Sequence, residues 1–177
     1  WLTIIVPNPD DFDTENRTAV LYVEGGDNSD PAPAAADPYL LEYATDTGHV
    51  VAALHQVPNQ PIGFTAVGSL SGHEIIAHSF AQAMGTGDTF WPAVFPMAKS
   101  VVKGMTAVQE FLAGEVPQSP YAPTSVAPLI ITDFVLAGAD IQAWAVWLTG
   151  AHDERVRALI PMAFDFINIR PIFDPDS

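Results

Sequence analysis

The sequence predicts an α/β domain with a mainly parallel sheet flanked by helices, and three observations predict it. Short β-branched and apolar runs alternate along the chain with stretches of helical periodicity, which is the order of strand–helix–strand units. The most apolar run, Leu129 to Ala137, has the composition of a central strand covered on both faces. It leads through Gly138-Ala139-Asp140 directly into a helical pattern.

Taken in order, Leu2 to Val6 is an apolar strand stopped by Pro7 and Pro9, and Ala19 to Val23 is a second, followed at once by Gly25-Gly26. Asp27 to Asp37 lacks periodicity and is rich in Asp, Pro and Ala, as a surface loop is. Tyr39 to Thr45 predicts a short helix closed by Gly48, and Val50 to Leu54 predicts the next strand. After the proline-bounded loop Gln56 to Pro61, the segment His73 to Met84 sets Ile76, Phe80 and Ala83 on one helical face, with Gly85 and Gly87 breaking it. A longer helix carries Met97, Val101, Met105, Val108 and Leu112 on one face, with Pro96 in its first turn and Gly114 as its stop. Val116 to Pro128 holds four prolines and predicts a crossing loop. The helix after Asp140 is expected to end near Leu148 with Gly150 as its cap, and Val156 to Met162 predicts one further strand.

At 177 residues and 49% apolar content the chain suits one unit with a sizeable core, and no internal repeat is visible. Its formal net charge of −15 disfavours nucleic acid and anionic lipid surfaces as partners. Solubility, a salty environment and a basic partner all remain compatible with that charge. The absence of cysteine excludes disulfides, thiolate metal sites and a Cys nucleophile. The longest mainly apolar stretch, Val126 to Ala139, contains Pro128 and Asp133 and is too short to span a bilayer, so no membrane insertion is expected. The chain opens at Trp1 without a leader pattern, which suggests a processed or incomplete chain. Asn16-Arg17-Thr18 is an N-glycosylation sequon, the mark of a surface loop in a secreted protein.

The chemistry centres on Asp140. A buried strand turning sharply into a helix, with Gly two residues before the apex, is the geometry of the nucleophile elbow of α/β-hydrolases, usually written G-x-S-x-G. Gly138 and Ala139 supply the small neighbours that the turn needs, Asp140 occupies the apex, and Gln142 stands where the second Gly would be. The Gly25-Gly26 turn is the candidate for the glycine-rich loop whose amides form an oxyanion hole.

Five collinear stretches resemble the PhoPQ-activated pathogenicity-related protein family: Trp1 to Pro7 (WLTIIVP), Leu21 to Asn28 (LYVEGGDN), Gly48 to Phe64 (GHVVAALHQVPNQPIGF), Trp91 to Phe111 (WPAVFPMAKSVVKGMTAVQEF) and Phe134 to Asn168 (FVLAGADIQAWAVWLTGAHDERVRALIPMAFDFIN). The resemblance implies a secreted, α/β-hydrolase-like protein considerably longer than this chain, so that residues 1–177 form an incomplete domain. It also implies a serine at the apex, in an elbow reading much like G-A-S-K-R-G-W. This sequence departs from that pattern at Asp140, Ile141, Gln142 and Ala143, while the flanks match.

Three readings of Asp140 follow. The site is inactive as a serine hydrolase, because a carboxylate cannot enter acyl-enzyme chemistry. Alternatively Asp140 is itself a nucleophile that forms an ester, which requires a base to activate water. In the third reading it caps the following helix. In this fold the chain order is nucleophile, acid, histidine. The histidine is therefore expected beyond Ser177, Asp165 is the candidate acid, and His152 follows the elbow helix too closely to serve as the base. His73-Glu74-Ile75-Ile76-Ala77-His78 resembles a zinc helix, but its histidines are five apart and point about 140° away from each other. His49 and His55 flank a strand without ligand spacing, as polar surface or supporting groups. No metal and no cofactor is expected.

The sequence thus predicts a secreted, non-catalytic hydrolase homologue acting in binding, signalling or extracellular assembly. The alternative is an ester or peptide hydrolase with an Asp centre completed by residues outside the chain. In either case the truncated sheet is expected to be covered by the remainder of its own polypeptide or by a partner chain.

Overall fold

The computed structural model describes residues 1–7, 17–114 and 128–164. Asn16, the Val116 to Ala127 part of the proline-rich loop and Asp165 lie outside them. The described residues form an α/β structure, a mainly parallel five-stranded mixed sheet with four helices and a separate two-stranded hairpin.

The strands of the main sheet are β1 (Leu2–Ile5), β2 (Thr18–Val23), β3 (Val50–Leu54), β6 (Asp133–Ala139) and β7 (Val156–Met162), and the hairpin is β4 (Ile62–Phe64) with β5 (Gly68–Leu70). The helices are α1 (Pro38–Thr47), α2 (His73–Thr86), α3 (Val94–Leu112) and α4 (Ile141–His152). Across the sheet the strand order is β1-β3-β2-β6-β7. β1 runs antiparallel to β3, and the pairings β3–β2, β2–β6 and β6–β7 are parallel.

Side chains two apart on a strand share a face, and the sheet sorts its apolar residues by that rule. Ala19, Leu21, Val23, Val50 and Ala52 point to the face that packs on Val101, Met105 and Val108 of α3 and Ala145 and Val146 of α4. Val20, Val51 and Ile5 point to the other face, where Ala44 and Leu40 of α1 cover them. Helices on both faces explain why β2, β3 and β6 read as nearly unbroken apolar runs rather than alternating ones.

Local chemistry accounts for several boundaries. Asp37 caps α1 through its carboxylate, which accepts from the amides of Tyr39 and Leu40, and Pro38 occupies the first turn. α2 ends at Gly87, whose φ of 73° is left-handed. Two boundaries differ from expectation. The predicted strand Leu129 to Ala137 begins only at Asp133 and runs on through Gly138 and Ala139. The Leu129 amide instead donates to the Leu112 carbonyl at the end of α3, and the Thr132 amide donates to Arg17. α4 also passes through Gly150 to His152 and is closed by Asp153. Gly150 is no cap. A Cβ there would lie 2.7 Å from Leu159, so the glycine lets the helix touch β7.

Arg155 ties these layers together. Its guanidinium donates to both Asp153 carboxylate oxygens (3.0 and 2.7 Å) and to Gln109 Oε1 of α3 at 2.7 Å. Those hydrogen bonds hold the Asp153 carboxyl below the ordinary carboxylate range. Truncation by Arg155→Ala is expected to cost about 2 kcal/mol at neutral pH, since it strands a half-buried carboxylate. A depressed carboxylate stabilises above its unfolded pKa of about 3.9 and loses that contribution as pH falls through its folded value. The penalty of the substitution should therefore be full at pH 7 and shrink below about pH 4, as read by urea unfolding at a series of pH values.

Candidate functional site at the carboxyl ends of the strands

The loops after β2, β3, β6 and β7 all leave from the same end of the parallel strands. From β2 the chain crosses by α1 on one face to β3, whereas from β6 it crosses by α4 on the other face to β7. The strand order therefore reverses between β2 and β6, and their loops part to opposite sides. In open α/β sheets this switch point is where ligands bind. Here it lies between Gly25-Gly26 and Asp140.

Asp140 stands at the strand-to-helix corner. Its backbone, at φ 56° and ψ −124°, lies in a region that side chains rarely adopt, and its amide donates to the Met162 carbonyl of β7. Gly138 serves the corner by close approach. A Cβ on it would sit 3.0 Å from Val146 Cγ2 and 3.2 Å from the Gln142 carbonyl group. Ala139 is the last residue of β6. The reading of Asp140 as a helix cap is corrected, for its side chain makes no capping hydrogen bond to α4.

The Asp140 carboxylate instead meets a histidine. His73 Nε2 lies 2.9 Å from Asp140 Oδ1, with both side chains largely in solvent. The sequence order placed any histidine partner beyond Ser177, whereas this one comes from upstream, on the first residue of α2. Among the described residues no carboxylate orients the other ring nitrogen of His73. His78, five residues on, turns away to pack against Phe64 (ring centroids 4.6 Å apart) and Trp91 (6.2 Å). His152 closes α4, about 18 Å along the helix from Asp140.

Across the crevice, Gly25 lies against the Gln142 side chain, which a Cβ on it would approach to 3.1 Å. Gln142 Nε2 spans on to donate to the Val57 carbonyl at 2.7 Å, linking α4 to the loop after β3. That loop is anchored to the glycine turn as well, because the Gln56 amide donates to Gly25 and the Val57 amide to Glu24. Beyond the turn, the Ser29 hydroxyl and amide hold the Asp27 carboxyl below its ordinary range. Next to the turn, Glu24 Oε2 lies 2.7 Å from His55 Nδ1, and His55 Nε2 lies 3.1 Å from the Thr3 hydroxyl. This row joins the ends of β1, β2 and β3 and gives His55 a supporting role. The described residues bring no three His, Asp or Glu side chains together in a way that could hold a metal ion, and no helix among them is long and apolar enough to cross a membrane.

A sequence model of the PhoPQ-activated pathogenicity-related protein family matches residues 1–175. The chain belongs to this family. Its similarity extends to autocrine proliferation repressor protein A of Dictyostelium discoideum, at 32% identity over 174 residues. That alignment covers 97% of this chain and 32% of the relative, so the chain spans about a third of that protein. No solved structure matches this chain. Within this PhoPQ-related chain the apex departs from the serine that the family resemblance implies, and the structure places that departure at the switch point of the sheet.

The backbone at position 140 makes a prediction independent of chemistry. Holding a non-glycine residue at such a φ costs about 1–3 kcal/mol, and glycine gives back less than about 1 kcal/mol in chain entropy. Asp140→Gly should therefore raise the unfolding free energy by about 1 kcal/mol, measured as a higher urea midpoint with unchanged slope. A lower midpoint would show that the His73 contact outweighs the strain.

Proposed function

We propose that this chain is the elbow-bearing part of a secreted, α/β-hydrolase-like domain, continued by further polypeptide, that acts in binding or signalling rather than in acyl transfer. One observation carries the reading: the side chain at the strained corner is a carboxylate, hydrogen-bonded to His73 where a catalytic hydroxyl would meet its base. Serine-type catalysis needs a hydroxyl that gives up its proton and forms an acyl-enzyme. An ionised carboxylate has no such proton to give, and its acyl product would be an anhydride rather than an ester. The glycine turn beside the corner is compatible with retention of the scaffold of an oxyanion site without the nucleophile it serves. The relative's name, an autocrine repressor of proliferation, fits a role as an external signal, and the sequon at Asn16 fits export.

A second reading is favoured by the 2.9 Å contact itself. Asp140 Oδ1 could attack an alkyl carbon, expelling halide or opening an epoxide C–O bond, to form an alkyl ester. His73 would then take a proton from a water that attacks the ester carbonyl, releasing the alcohol and restoring the carboxylate. One experiment separates the two. The chain is offered activated esters, an alkyl halide and an epoxide, beside Asp140→Ala and His73→Ala variants. Single turnovers are also run in water enriched in the heavy oxygen isotope. The binding reading expects no turnover that depends on Asp140. Turnover lost in both variants, with heavy oxygen entering the Asp140 carboxylate, would replace it by the hydrolase reading.

A further inference from the structure

A second feature lies away from the crevice, on the sheet face that α3 covers. Between α3 and the ends of β1 and β3 runs an open depression of about 540 Å³, walled by Leu2, Leu54, Pro96 and Ala107 and flanked by Lys99 and Lys103. It exists because α3 lies low over the sheet. Gly104 has no side chain to hold it off, and a Cβ there would come within 3.0 Å of Leu54. The charge of this depression runs against that of the molecule. The chain carries a formal charge of −15 and has two lysines, and both line the same apolar groove. Among the described residues Arg155 and Arg157 are spent on Asp153 and Asp133, while neither lysine has a carboxylate within salt-bridge reach.

We propose that this groove binds an extended acidic segment of a partner protein in which carboxylates alternate with apolar side chains. The spacing selects that chemistry. Lys99 and Lys103 are one helical turn apart, a rise of about 6 Å along α3. Carboxylates at alternate positions of an extended peptide are separated by about 6.6 Å and lie on one face, so two of them meet the two ammonium groups together. The apolar residues between and beside them share the opposite face, which turns to Leu2 and Leu54 when the carboxylate face meets the lysines. A ligand with a single anionic head would satisfy one lysine and leave the other unmatched. A basic or neutral peptide would gain nothing from either. The exposed apolar surface of the groove supplies the non-directional part of the affinity, and the two ammonium groups supply a local attraction that works against the overall negative field of the protein.

The test uses a fluorescein-labelled synthetic peptide of alternating valine and aspartate, about eight residues long, with fluorescence anisotropy as the readout. The expected result is saturable binding to the chain that weakens roughly tenfold when both lysines are made neutral, in Lys99→Gln with Lys103→Gln, and more in the double Glu variant. Lys99→Arg with Lys103→Arg should retain binding, and added salt or exchange of the peptide's aspartates for asparagines should weaken it. Both lysines are exposed on α3, and matching circular dichroism spectra confirm that the variants are folded. Absence of binding to the unaltered chain, or equal binding by the neutral double variant, overturns the proposal. So does a concentration-dependent dimer that dissolves when the lysines are replaced, because a second copy would then be the occupant.

Discussion

Replacing Phe134 with alanine should lower the unfolding free energy by about 3–5 kcal/mol. Phe134 is fully buried in β6, opposite Ala19 of β2 and Val156 of β7, and its amide donates to the Arg155 carbonyl. Truncation there removes a large apolar side chain and leaves a cavity between the sheet and the α3–α4 layer. β6, bonded to β2 on one side and β7 on the other, has little freedom to collapse into it. Against a typical total of about 5–15 kcal/mol this is a large fraction. Urea unfolding followed by circular dichroism provides the measurement, with Phe90→Ala as the control. Phe90 is 91% exposed, and its loss should change stability by no more than about 0.5 kcal/mol. Equal effects at the two positions would mean that Phe134 does not sit in the packed core.

A second large effect is expected at Gly138. Valine in its place would set Cβ against the backbone of Gln142 at 3.2 Å and against Val146 at 3.0 Å, and its two methyl groups would reach further. The Gln142 carbonyl belongs to the first turn of α4, so no rotamer change relieves the contact, and the helix itself must move away from the sheet. Overpacking of this kind costs about 1–3 kcal/mol, and the backbone partner puts Gly138→Val near the upper end. The same displacement would part Asp140 from His73 and Gln142 from Val57. Loss of stability together with disruption of both hydrogen bonds, seen by urea unfolding and by side-chain resonances, is the expected result. A variant that keeps both contacts at full stability would show that the corner has slack.

Much of the scaffold was legible because its signals are local. The β-branched runs of β2, β3 and β7 and the three-to-four-residue spacing of Met97, Val101, Met105 and Val108 each state their own conformation. What escaped was decided by long-range contact. An unbroken apolar run at Leu129 to Ala137 carries no period to set its register, and the backbone partners at Leu112 and Arg17 fixed where the strand starts. Gly150 reads as a terminator by itself, yet Leu159, brought alongside by β7, turns it into a packing residue. The three-residue strands β4 and β5 are too short to show alternation. At the site, the small residues before Asp140 announced the corner, since only a tight turn demands them. The histidine in contact with it was not visible, because nothing local to His73 reveals that α2 carries it across 67 positions to Asp140.

The amide of Gln142, stretched from the elbow helix to Val57, lies directly against the glycine turn, so a molecule entering a cleft between that turn and Asp140 would meet it first. A visitor to that cleft must either accept this bridge as part of its wall or push it aside and satisfy the Val57 oxygen in its stead. The bridge thus acts as a latch between the elbow helix and the loop after β3, which pack on the same side of the sheet. Its side-chain protons are a built-in reporter, moving when the cleft is occupied and silent when it is empty.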